Sequence, residues 1–172
     1  MSTYTSEFLR QLRDKDNFIE PTRTYFPPWW KFWDKKVKTE TSFSGDFIRE
    51  YDQAGNFTYF YRKRSVLDAG GFGSRHYWET LDLKTMIITS QPKPDVTRKI
   101  YPDDRCEDIQ DLQENGVQRV TLGTISSSGI VIPYAHVLLK NGKQMAVKWI
   151  KSNLRNKDFW QAVVKSYPNS LE

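Results

Sequence analysis

The sharpest catalytic spacing in the chain is an acid–lysine pair. Asp82-Leu83-Lys84 sets a carboxylate and an ammonium two residues apart, on one side of an extended strand, and Asp68 ends an apolar run fourteen positions earlier. Carboxylates and an ammonium on one strand face are residue types that serve metal or acid–base chemistry. The same residue types also make an ordinary solvated strand face, and a motif this short favours that plainer reading.

The remaining chemistry-bearing residues are sparse. The two histidines, His76 and His136, are too few for most metal or acid–base schemes, and His136 sits mid-strand beside Tyr134. Cys106 is the single cysteine, so there is no internal disulfide, and its neighbours Asp104, Glu107 and Asp108 raise a thiol pKa rather than lower it. No serine stands in a nucleophile-elbow setting. Gly70, Gly71 and Gly73 would suit a phosphate loop if a helix followed; a strand follows, so a hairpin loop is expected. The acidic stretch from Asp103 to Glu114 lacks the ligand spacing and glycine of a calcium loop. No cofactor and no metal site is expected.

A different chemistry is suggested by the segment after Pro27 and Pro28. Trp29, Trp30, Phe32 and Trp33 alternate there with Lys31, Lys35 and Lys36. Rings with basic neighbours suit the headgroup zone of a membrane, stacking on single-stranded nucleic acid, or a protein interface, where tryptophan dominates hot spots. Packing of the rings into the domain's own core is the structural alternative. The two prolines keep this arm out of a β-ladder, so side-chain packing alone must hold it.

The triad Asp68, Asp82 and Lys84 resembles the PD-(D/E)xK nuclease pattern, although Leu67 stands where that pattern has proline. The resemblance implies that Asp68 and Asp82 hold a divalent ion, that Lys84 polarises the attacking water and that DNA or RNA is cleaved, and it covers these three positions only.

Bulk properties bound the rest. A chain of 172 residues fits one domain, or one domain with an arm. Its hydrophobic fraction of 38% is low, but aromatics at 15% argue for folding around large rings. Net charge +5 permits attraction to nucleic acid or an anionic membrane without demanding it, because 21 acids are interspersed. No signal-peptide stretch and no apolar run of ~20 residues occurs, so the cytoplasm, or the cytosol of an infected host cell, is the expected compartment.

The elements that must position these residues read as follows. Residues 5–16 form an amphipathic helix capped by Thr5, and the aromatic arm follows. Phe43–Tyr51 and Phe57–Arg64 make a hairpin across the turn cluster Asp52–Asn56. Tyr77–Thr89 is one long strand carrying Asp82 and Lys84, and Val96–Tyr101 is an edge-like strand. Residues 102–116 have the marks of a short helix, with Pro102 first and Asn115-Gly116 last. Val117–Ile125, Ile130–Lys140 and Lys143–Ile150 are strands, the last two joined by the hairpin signal Asn141-Gly142. A terminal helix from about Asn156 places Phe159, Trp160, Val163 and Tyr167 on one face, so both Phe159 and Trp160 are expected to be buried.

The expected fold class is α+β: a strongly bent antiparallel sheet or small partly open barrel of about six to seven strands, plugged by the C-terminal helix. Residues 1–41 supply the helix and arm, and residues 42–172 the β-rich domain. By element order this is similar to a pleckstrin-homology-like module over residues 42–167, or to a cystatin-like or nuclear transport factor 2-like curved sheet. The expected function is a non-enzymatic binding or assembly module that contacts a protein, or an oligomeric assembly, through the Trp-rich arm. Binding to an anionic membrane or nucleic acid comes second, and a metal-dependent nuclease a distant third.

Overall fold

The computed structural model describes residues 3–13, 23–25, 38–42, 44–67, 74–113, 116–150 and 155–167. Helix α1 (Tyr4–Arg13) opens the chain. Its N-terminus is closed by Thr3 rather than Thr5: Thr3 Oγ1 accepts the Ser6 amide at 3.0 Å, and Ser6 Oγ accepts the Thr3 amide at 2.7 Å. This reciprocal pair satisfies donors that a helix start otherwise leaves open.

Eleven strands follow among the described residues: β1 (Arg23–Tyr25), β2 (Lys38–Thr41), β3 (Phe47–Tyr51), β4 (Phe57–Leu67), β5 (Ser74–Asp82) and β6 (Ile88–Lys93), then β7 (Val96–Ile100), β8 (Arg105–Asp111), β9 (Val117–Ile125), β10 (Val131–Lys140) and β11 (Lys143–Trp149). Each pairs antiparallel with its sequence neighbours in one open sheet of order β1 to β11. Helix α2 (Lys157–Ser166) ends the described chain.

This overturns the expected α+β fold of six to seven strands, and with it the pleckstrin-homology-like and cystatin-like or nuclear transport factor 2-like arrangements. Three local readings account for the miscount. The expected helix at 102–116 is strand β8, with Cys106 and Asp108 on one face and Glu107 and Ile109 on the other. Acids near a proline resemble a helix start, but here pairing with two flanking strands decides the conformation. The expected long strand Tyr77–Thr89 is broken at Leu83–Thr85, where Met86 takes a φ of +61° and the chain turns back as β6. The expected edge strand β7 is interior, paired on both sides. Prolines that would otherwise interrupt the ladder sit at register shifts, Pro92 inside the one between Ser90 and Lys93 and Pro133 at the start of the one between Pro133 and Ala135. The hairpin at Asn141-Gly142 forms as its sequence demands, with φ of +50° and +80°.

The two helices cover opposite faces of the sheet. Directly paired residues share a face, so the series Phe60, Leu81, Ile88, Ile100 and Cys106 lies on one side. Tyr4 and Phe8 of α1 pack there, with the Phe8 and Phe60 rings edge to face at 5.5 Å. Val120, Leu122, Ala135 and Val137 point to the other side and receive Trp160, Val163, Val164 and Tyr167 of α2. Helix α2 therefore covers the sheet's outside near its C-terminal edge and plugs nothing. Trp160 is buried at 3% exposure, but Phe159 is 47% exposed, edging the Trp160 ring at 5.3 Å with the Arg105 guanidinium 5.9 Å from its own ring centre. No described helix is long and apolar enough to cross a membrane.

Candidate anion-binding site

The face beneath α1 carries ionic residues where a two-sided sheet usually carries apolar ones. On β4, Phe60, Arg62 and Arg64 point the same way, because side chains alternate. Paired positions extend this into a first row: Arg62 faces Glu79, Glu79 faces Ser90, Ser90 faces Arg98, Arg98 faces Asp108, and Asp108 faces Thr121. Thr121 in turn faces His136, and His136 faces Lys148.

The charges at the β4–β5 end of this row are closed by the fold. Arg62 donates to Glu79 Oε1 through Nε at 2.9 Å and Nη2 at 2.7 Å, and to Gln11 Oε1 at 2.6 Å. Its Nη2 also reaches the Tyr4 hydroxyl at 2.9 Å, and that hydroxyl donates to Glu79 Oε2. The guanidinium lies 4.3 Å from the Phe8 ring centre. Arg62 and Glu79 are both buried, and burial followed by the Glu79 charge pushes the Tyr4 pKa well up. Further along, Arg98 and Asp108 form a two-pronged pair at 2.8 and 3.0 Å. Burial alone would lower the Arg98 pKa, but the Asp108 carboxylate outweighs it and the pKa rises.

The second row is different. Arg64 faces Tyr77 across β4–β5; Val96 faces Gln110 across β7–β8; Gln110 faces Arg119 across β8–β9. These residues line a cavity of about 910 Å³. Among the described residues it is lined by five cationic side chains, Arg64, Arg75, Lys93, Arg98 and Arg119, against two carboxylates, Asp95 and Asp108. Arg75 donates to the Pro92 carbonyl, a neutral acceptor. Arg119 donates to the Gln110 side-chain oxygen, and the Gln110 amide nitrogen donates to Asp95 at 2.8 Å. The ionised Asp95 requires the nitrogen of Gln110 to face it, which leaves the oxygen for Arg119. The Gln110 hydrogen bond, ahead of other causes, holds the Asp95 pKa below its usual value. Arg64 is 3.9 Å from Glu79, beyond hydrogen-bond length, and that carboxylate is already engaged by Arg62 and Tyr4.

Among the described residues, Arg75 and Arg119 are thus aimed by neutral acceptors and Arg64 shares a carboxylate already engaged by Arg62, so cationic side chains outnumber carboxylates at the cavity. A turn closes one side of it. A Cβ at Gly129, between β9 and β10, would lie 3.3 Å from Arg64 Nη2 and 3.6 Å from Tyr4 Cε2. On a flat sheet β4 and β9 would be about 24 Å apart, at about 4.8 Å per strand spacing, so this end of the open sheet curls over the cavity. Strands β1 and β11 are not paired with each other among the described residues.

None of the sequence-derived candidates is among the described residues that line this cavity. Trp29, Trp30, Lys31, Phe32, Trp33, Lys35 and Lys36 lie outside the described residues, as do Asp68 and Gly70–Gly73. Asp82 ends β5 and accepts the Lys84 backbone amide at 2.9 Å, and Lys84 lies in the following turn rather than on Asp82's strand. Among the described residues, no group of three or more His, Cys, Asp or Glu could hold a metal ion. Cys106 is buried, and burial followed by Asp108 pushes its thiol pKa well up. His76 meets Ser65 at 2.8 Å on the exposed face, and His136 meets Thr121 at 3.0 Å. The cavity arginines were missed because they stand on three separate strands, and Arg64 reads as part of the basic run Arg62-Lys63-Arg64 of a solvated strand. The readable signal was Phe60, Arg62 and Arg64 at period two, which ties two arginines to a buried ring's face.

The chain matches no protein-family model, no curated protein and no solved structure.

Proposed function

We propose that the protein is a non-enzymatic binding module whose cavity on the α1 face holds an anionic ligand. One observation carries this reading: among the described residues, Arg64, Arg75 and Arg119 converge on one cavity, Arg75 and Arg119 on neutral acceptors and Arg64 3.9 Å from a carboxylate that Arg62 already engages. Guanidiniums held by neutral acceptors are pre-oriented and retain free N–H donors, the arrangement that recognises carboxylate or phosphate. Membrane and nucleic-acid surfaces present rows of phosphates to a charged surface patch; charges gathered around a cavity suit a discrete molecule instead.

The test is thermal unfolding at constant ionic strength with chloride, phosphate, pyrophosphate or citrate. A ligand that binds only the folded state raises stability by RT ln(1 + [L]/Kd), about 2.7 kcal/mol at a hundredfold excess over Kd. Polyvalent anions should stabilise the wild type well beyond chloride, and Arg75→Gln combined with Arg119→Gln should erase the difference. Equal melting temperatures in all four salts would remove the proposal.

A further inference from the structure

We infer that the ligand of this cavity is an organic anion with a flat apolar body, an aromatic carboxylate or phosphate monoester; this rests on the anion-binding reading above. Three observations narrow the class.

The first is size. The cavity holds about 910 Å³, near the top of the ~300–1,000 Å³ range of small-molecule sites. That is roughly thirty times the ~30 Å³ share of one water molecule in the liquid. An inorganic ion would leave most of the space to solvent and gain nothing from its walls.

The second is the floor. Tyr77 and Pro92 each lie two residues beyond the paired Glu79 and Ser90, and Pro92 is buried on that face. Val96, on the next strand, also lines the cavity. These three span neighbouring strands β5, β6 and β7, about 10 Å across at two strand spacings. Proline and tyrosine carry little rotamer entropy and present rigid apolar surface, so they cover a ring system at small ordering cost. A ring system matches that width; a tetrahedral ion does not.

The third is the placement of charge around that floor. Arg64 lies beside Tyr77 on one flank, and Arg119 lies beyond Gln110 on the other. Arg75 is anchored on the Pro92 carbonyl, at the floor's own edge. A flat body on Tyr77, Pro92 and Val96 would therefore present an edge substituent to a guanidinium whichever way it lay. Arg98 takes no part in the wild type, since Asp108 holds it in a two-pronged pair. The two acids among the described lining residues each have a partner, Asp108 in Arg98 and Asp95 in Gln110, and are outnumbered by five cations.

The experiment is calorimetric titration of the full chain with four probes: 2-naphthoate, 2-naphthyl phosphate, inorganic phosphate and the neutral 2-naphthalenemethanol. At least one naphthyl anion should bind tenfold or more tightly than both phosphate and the neutral alcohol. The stronger of the two separates a carboxylate ligand from a phosphate one. Tyr77→Ala should weaken the naphthyl anion at least fivefold and leave phosphate unchanged, whereas Arg119→Gln should weaken both anions. Asp108→Asn should tighten the naphthyl anion severalfold by releasing Arg98. Phosphate binding as well as both naphthyl anions would overturn the organic-ligand inference and leave anion binding standing. The neutral alcohol binding as well as naphthoate would overturn the anion reading itself, and no binding by any probe would overturn both. Should Tyr77→Ala not fold, the wild-type ranking of the four probes decides alone.

Discussion

Two adjacent rows of one sheet face carry arginines with opposite fates. In the first, Arg62 is roofed by α1 and spends its donors on Glu79, Gln11 and Tyr4. Beyond it, Arg64 and Arg119 of the second row, and Arg75 one step further along β5, border open space; Arg75 and Arg119 rest on neutral acceptors and Arg64 on a carboxylate already engaged by Arg62. The residue type is the same, the strands are largely the same, and the rows are two residues apart. Burying an ion costs several kcal/mol unless it is paired and hydrogen-bonded, so the first row must be closed for α1 to dock at all. The second row has no such obligation, because solvent or a ligand solvates it. Uncancelled charge held in place is what a binding site leaves over after folding is satisfied.

The largest expected effect follows from breaking the closed row. Glu79→Ala strands the Arg62 guanidinium beneath Phe8 and Tyr4 and should cost about 3–5 kcal/mol, read by urea unfolding. Replacing the pair together, Arg62→Met with Glu79→Leu, should recover part of that loss, short of the cost of removing the partners of the buried Tyr4 hydroxyl. A single-variant loss below about 1 kcal/mol would mean that α1 does not seal this row, and the contrast between rows would fall. The opposite face offers a parallel contrast. Trp160→Ala should cost about 3–5 kcal/mol, since the ring is 3% exposed and edges Tyr134 at 4.9 Å. Phe159→Ala, one residue earlier but half exposed, should cost about 1 kcal/mol or less.

The open row should behave oppositely. Arg75→Gln and Arg119→Gln should each change folding stability by no more than about 0.5 kcal/mol while lowering affinity for anions. A loss of several kcal/mol in either would show that these guanidiniums are structural after all. Cys106 marks the boundary between the rows' chemistry and their packing: its thiol is 2% exposed and its pKa is pushed up by burial and then by Asp108. It should react with a thiol reagent at pH 8 only as fast as the protein opens, and the rate should rise to that of free cysteine in urea.

What the sequence disclosed, and what it hid, follows from how local each signal is. The turns at Asp52–Asn56 and Asn141-Gly142 were legible because a few residues determine them. So was the α2 stripe of Trp160, Val163 and Tyr167, which is one helix's own periodicity. Strand β8 was not legible, because Pro102 and the acids after it imitate a helix start, and only pairing with β7 and β9 decides otherwise. The split between β5 and β6 was hidden because its turn holds no glycine or proline, and Met86 takes the positive φ there. The binding site was the least visible part. Arg64, Arg75 and Arg119 stand on three strands, up to 55 residues apart in the chain, and no spacing rule joins them. Phe159 was misjudged because helical periodicity places a side chain on a face without showing how far the partner surface extends.

The smallest effect tests the electropositive end of the face directly. His136 lies beyond Thr121 on the first row, flanked by Arg119 and Lys148. Burial, then the Arg119 charge, then the Lys148 charge, hold its pKa below the ordinary value near 6.5. The folded protein therefore takes up this proton at lower pH than the unfolded chain does. The contribution is nil above about pH 6.5, where both states are neutral. As pH falls through that value the unfolded chain gains a proton that the folded protein refuses, and stability declines until the folded imidazole titrates as well. His136→Gln should flatten this part of the stability–pH curve and leave stability at pH 8 nearly unchanged. Proton NMR titration of the imidazole, assigned with a His76→Gln variant, should place His136 below 6.5 and move it upward in Arg119→Gln. It should also move upward when a bound organic anion neutralises Arg119. A His136 pKa at or above 6.5 that Arg119→Gln leaves unmoved would mean that Arg119 projects no uncancelled charge here, and the distinction between the two rows would lose its electrostatic basis.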